Sequence, residues 1–133
     1  MLDYDAGENW REKKHGWNHQ YAGVKVVRGL GRVATCPNDV TCEQARQVLN
    51  AGLRFFEEDD PGRSADAFPD NVFAVYKGVP YESRPTTHGK SFHSFPVLPE
   101  RYSRLPDSVR NWLQAKAADQ GYDLEDWLKK WAL

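Results

Sequence analysis

The sequence predicts an α+β domain in which a small antiparallel β-sheet, built mainly from the 72 to 95 region, packs against one long helix and a C-terminal helical pair. Three observations carry this expectation. Val72 to Ser83 alternates apolar and aromatic residues around a central Lys77-Gly78, the form of a hairpin closed by a two-residue turn. Thr41, followed three residues later by Gln44, has the form of a capping box and opens a run of apolar residues at helical spacing. Beyond Pro106 the apolar residues again recur at three- and four-residue steps.

Residues 1–20 are polar with isolated aromatics and show no clean period, so they are read as a partly irregular arm. Val24, Val26 and Val27 give a short β-branched segment, Gly29 and Gly31 a turn, and Val33 to Cys36 a second segment, together a small hairpin. Ala45, Val48, Leu49, Leu53 and Phe56 form one stripe on a helix expected from Cys42 to Glu58. Gly52 inside that stripe implies a kink or a close contact with another backbone. The stretch from Glu57 to Asn71 is acidic and rich in turn formers, hence a loop.

In the hairpin, Pro80 has no N–H to donate, which predicts an edge strand or a position outside the ladder. Ser91 to Phe95, between Gly89 and Pro96, reads as a further strand. Val109, Trp112, Leu113 and Lys116 share a face of a helix stopped by Gly121, and Leu124, Trp127, Leu128 and Trp131 line a second helix opened by Asp123.

A chain of 133 residues, 40% hydrophobic and 28% charged, can bury a core as one domain without disulfides or a structural metal. Five tryptophans exceed what a minimal core needs, which points some rings toward a surface. The formal net charge of -1 gives the whole molecule no attraction for nucleic acid, so any polyanion binding must be local. The distribution is uneven. Cations dominate from Arg11 to Arg32 and acids from Glu57 to Asp70. Cys36 and Cys42 could close a short-loop disulfide in an oxidising compartment, but two cysteines make no disulfide framework and no signal peptide is recognised, so reduced thiols and a cytoplasmic chain are the expectation. No apolar run is long enough to span a membrane.

Reactive side chains concentrate between Glu82 and His93, where Glu82, Arg84, His88, Lys90 and His93 occur within twelve residues. Alternation after Tyr81 puts Glu82 and Arg84 on one face with Ser83 opposite. Metal-independent cleavage of RNA needs a base for the 2′-hydroxyl proton, an acid for the leaving oxygen and cations for the phosphorane charge. Glu82 or His93 could supply the first two, Arg84 and Lys90 could hold the phosphate, and His88 could act as a second acid or base. Phe92 and Phe95 are candidates to stack on bases. The plainer reading of the cluster is an ion pair on an edge strand followed by a solvated loop.

A second candidate nucleic-acid surface is the basic aromatic arm, with Trp10, Arg11, Lys13, Lys14, His15, Trp17, His19 and Tyr21. His15 and His19 are four apart, but Gly16 and the lack of a third acidic ligand argue against a metal, and neither metal nor cofactor is expected. Asp119, Asp123, Glu125 and Asp126 crowd the C-terminal helical pair and disfavour DNA reading by it. Phosphate-loop, paired CxxC, HExxH and GxSxG motifs are absent.

The string GVPYESRPTTHGKSFHSFP resembles segments of small bacterial toxin domains, the effector modules of polymorphic toxin systems, in which a Tyr-Glu-x-Arg hairpin precedes a Gly-x-Ser-x-His loop ending in an aromatic and Pro. The likeness covers only Val72 to Pro96. It implies a nuclease and would implicate Glu82, Arg84 and His93. The function expected first is therefore RNA cleavage or RNA binding without metal. The alternative is a non-enzymatic interaction protein, such as an immunity protein, inhibitor or phage accessory protein, that holds a cognate protein partner through an aromatic or acidic surface.

Overall fold

The computed structural model describes residues 2–4, 22–29, 31–35, 41–64, 67–87 and 91–132. In chain order these contain β1 (Asp3–Tyr4), β2 (Gly23–Val27), β3 (Gly31–Thr35), α1 (Cys42–Asn50), β4 (Leu53–Phe55), β5 (Asn71–Tyr76), β6 (Val79–Thr87), β7 (Ser91–Pro96), α2 (Pro99–Tyr102), α3 (Asp107–Asp119) and α4 (Leu124–Lys130). The architecture is mixed α+β, as the sequence predicts. Its main sheet has the order β1-β7-β6-β5-β4, with β1 parallel to β7 and the other pairs antiparallel, and β2 and β3 form a separate hairpin.

The central hairpin follows from its turn. Lys77 (φ 51°) and Gly78 (φ 78°) both take positive φ, which a two-residue turn matching the strand twist requires. That turn sets the register Val72↔Ser83 to Tyr76↔Val79. Of the two placements expected from Pro80, the edge strand does not hold, because β7 pairs along the other side of β6. Pro80 fits an interior strand because it lies just past the end of β7, where its carbonyl accepts from the Val97 N–H at 2.8 Å.

The helix expected over 42 to 58 is shorter. Its start is the capping box: Thr41 Oγ1 accepts from the Gln44 N–H at 3.1 Å, and the Thr41 N–H donates to Gln44 Oε1 at 2.8 Å. It ends at Asn50, since a Cβ on Gly52 would lie 2.6 Å from the Phe73 carbonyl oxygen and 2.7 Å from Val72 Cγ1. Gly52 thus lets the chain turn against β5 and run on as β4. The apolar stripe divides there, Leu49 joining one side of the sheet and Leu53 and Phe55 the other.

The sheet is covered on both faces. On one, Phe73, Val75 and Val97 pack with Tyr102, Leu105, Val109, Leu113, Ala117 and Leu124 from the C-terminal helices. On the other, Val72 and Phe92 pack with Leu49 and Leu2, and Phe68 closes the cluster. Gly121 (φ 84°) ends α3 with the Tyr122 N–H donating to the Ala117 carbonyl at 2.9 Å, and Asp123 caps α4 by accepting from the Glu125 N–H at 3.0 Å. Trp127 and Trp131 lie against the β2–β3 hairpin, and the buried Trp127 indole donates to the Val97 carbonyl at 2.8 Å. Trp127 is therefore core.

Candidate functional site

On β6 the alternation of an extended strand sends Glu82 and Arg84 to one face and Ser83 to the other. Pairing extends that face sideways: Glu82 stands opposite Phe73 on β5 and Phe95 on β7, and Arg84 stands opposite His93. Glu82, Arg84, His93 and Phe95 therefore share a face, the one packed by the C-terminal helices. Ser83, behind it, is buried and shares a 2.5 Å hydrogen bond with Ser94.

Glu82 has no exposed surface. Its Oε2 accepts from Asn71 Nδ2 at 2.7 Å, from Arg101 NH2 at 3.1 Å and from Arg84 Nε at 3.2 Å, while Oε1 accepts from Arg101 Nε at 3.2 Å. Arg101 grips the carboxylate with two nitrogens, the geometry for which a planar guanidinium is suited. Both arginines reach outward, their side chains 51% (Arg84) and 41% (Arg101) exposed. Two guanidiniums on one carboxylate leave a net positive charge, and the burial of the carboxylate directs that charge toward solvent.

An aromatic flank lies beside the cations. The Arg84 guanidinium stands 5.3 Å from the centroid of the half-buried Phe95 ring, and the exposed His93 ring tilts against Phe95 at 5.9 Å. His93 Nδ1 is 3.0 Å from Thr86 Oγ1, a bond that holds the ring in orientation and leaves Nε2 as its other ring nitrogen.

Several expectations change. Glu82, considered as a general base, is enclosed by four donor contacts and offers no surface to a substrate, so it acts as an anchor for the arginines. Phe92, considered as a base-stacking ring, is wholly buried on the opposite face, stacked on Phe68 at 4.7 Å; its position opposite Pro85 puts it out of phase with His93. Phe95, one alternation further, takes the outward place beside Arg84. His88 and Lys90 lie outside the described residues, as do Lys13, Lys14 and Trp17 with the rest of the basic arm, and Cys36.

Sequence reading missed Arg101 and Asn71. Arg101 reaches Glu82 across nineteen residues from α2, a four-residue helix with Pro99 at its start and no apolar period to announce it. The one signal was chemical: a glutamate on an interior strand must find cations, and the short Pro-Glu-Arg-Tyr segment after β7 supplies one. Among the described residues no group of three or more His, Cys, Asp or Glu side chains could hold a metal ion, and no helix is long and apolar enough to cross a membrane.

Comparison of the chain with protein-family models, with curated proteins and with solved structures finds no match. The likeness of residues 72–96 to toxin effector domains gains no support from them.

Proposed function

We propose that this protein binds single-stranded RNA on the face formed by β6, β7 and α2, with Arg84 and Arg101 holding a phosphate and the His93–Phe95 pair receiving a base. The observation that carries this reading is the pair of half-exposed guanidiniums fixed by one buried carboxylate. Preorganised arginines meet a phosphate without losing the rotamer freedom that a loose side chain would. The adjoining rings supply a π-face, which every base can use, so the site suits a strand of any sequence.

The geometry favours binding over cleavage. General acid–base cleavage of RNA needs two proton-transfer groups; once Glu82 is committed to its arginines, His93 is the exposed one on the described parts of β6 and β7, and the partly exposed Glu100 of α2 is tied to Arg32 at 2.9 Å. The test is fluorescence anisotropy of a labelled oligouridylate with wild type and His93→Ala, run in EDTA with the length of the RNA checked afterwards. Binding with intact RNA, weakened in His93→Ala by about 1 kcal/mol or more, is the expected result. No binding at low salt overturns the proposal, and fragmentation lost in His93→Ala replaces it with cleavage.

One observation favours a second reading. Glu57, Glu58, Asp59 and Asp60 are all exposed on the loop after β4, a negative surface suited to a basic protein partner. An interaction that weakens when these four acids are neutralised, and not when Arg84 is removed, would point there.

A further inference from the structure

A separate groove lies at the β4 edge of the sheet. β4 pairs only with Asn71 to Phe73, so from Ala74 to Tyr76 the outer edge of β5 has no strand beside it among the described residues. α1 and α3 pack against β5 from its two faces. Between them, and bounded by Tyr122, is a groove of about 350 Å³. That volume falls at the small end of ligand sites, about 300–1,000 Å³. Val48, Ala51 and Tyr76 give it apolar and aromatic walls, Lys77 and Lys116 give it two cations, and no acid lines it among the described residues.

Two details narrow the occupant. Gln120 Nε2 donates to the Val75 carbonyl at 3.2 Å, occupying the edge group that an added strand would use, so a peptide extending the sheet is disfavoured against a small molecule. Lys77 holds φ 51°, a conformation that Asn or Gly adopts at less cost in this turn, with its ammonium 5.5 Å from the Tyr76 ring centroid. The turn would form more easily with Asn. A lysine held there at conformational cost places a second positive charge at the groove beside Lys116, which folding does not require.

We infer that this groove binds a small organic anion, a carboxylate or sulfonate on an apolar or aromatic body, with Lys77 and Lys116 meeting the charge and Val48, Ala51 and Tyr76 the body. None of these residues belongs to the Glu82–Arg84–Arg101 cluster, so the inference stands apart from RNA binding. The test titrates the intact protein with anilinonaphthalene sulfonate and follows the dye's fluorescence, with neutral phenylnaphthylamine as a second probe.

Saturable binding of the sulfonate is expected, weakened by about two- to fivefold in Lys77→Asn and again in Lys116→Gln. The melting temperature of Lys77→Asn should not fall, which separates loss of the charge from loss of the fold. Absence of saturable binding, equal binding by both variants and wild type, or binding of the neutral dye as tight as that of the sulfonate would each overturn the inference.

Discussion

Glu82 occupies a place where an unpaired carboxylate would be costly, and its neighbours are arranged accordingly: Asn71 from β5, Arg84 from its own strand and Arg101 from α2 all donate to it. Because both arginines are half exposed, water relieves part of their loss when the carboxylate is removed. Glu82→Gln is therefore expected to cost about 2 kcal/mol or more in a urea titration, and a loss under about 0.5 kcal/mol would contradict the anchor role. Tyr102 gives a second prediction at this scale. Its burial, opposed by a hydrogen bond to Gln114 and aided by the charge of Glu125, raises its pKa above the ordinary 10.0. The unfolded chain gives up that proton first as the pH rises. The contribution of Tyr102 is thus complete below pH 10.0 and lost as the pH climbs through the folded value. In Tyr102→Phe the decline in urea midpoint between about pH 9 and about pH 11 should be shallower than in wild type.

Among the elements, the junction of α1 and β4 depends on Gly52, whose missing side chain lets the backbone approach Phe73 and Val72. Gly52→Ala should lower stability by about 1–3 kcal/mol through displacement of β4 or β5, read as a fall in the urea midpoint. A variant as stable as wild type would show that the junction can relax. This junction also shows where the sequence was legible and where it was not. The start of α1 could be read because Thr41 and Gln44 interact locally. Its end could not, because Leu53 and Phe56 continued the helical spacing while the real divider was the contact of Gly52 with Val72 and Phe73, on a strand distant in sequence. The β5–β6 hairpin was legible from Lys77-Gly78 and the alternation on either side. Strand order was not, so Pro80 left an edge strand and a position outside the ladder equally open, and only the pairing of β7 along β6 from Tyr81 onward decides against the edge. In the candidate site, the shared face of Glu82 and Arg84 follows from alternation alone, whereas the Arg101 contact depends on how α2 packs above the sheet.

Across the whole molecule, nearly balanced charge means that no long-range field gathers a polyanion, so any RNA affinity must come from the few cations that touch it. Exposed cations gather at two distinct places along the sheet. Arg84 and Arg101 lie over the β6–β7 side, while Lys77 and Lys116 line the groove beyond the short β4. The most direct test of the central claim is the affinity for a labelled oligouridylate across a salt series, compared between wild type and Arg84→Ala. Affinity should fall as salt rises, and Arg84→Ala should flatten the log–log slope by roughly 0.7, the share of one phosphate on a single strand. An affinity indifferent to salt, or a slope unchanged by Arg84→Ala, would contradict the claim.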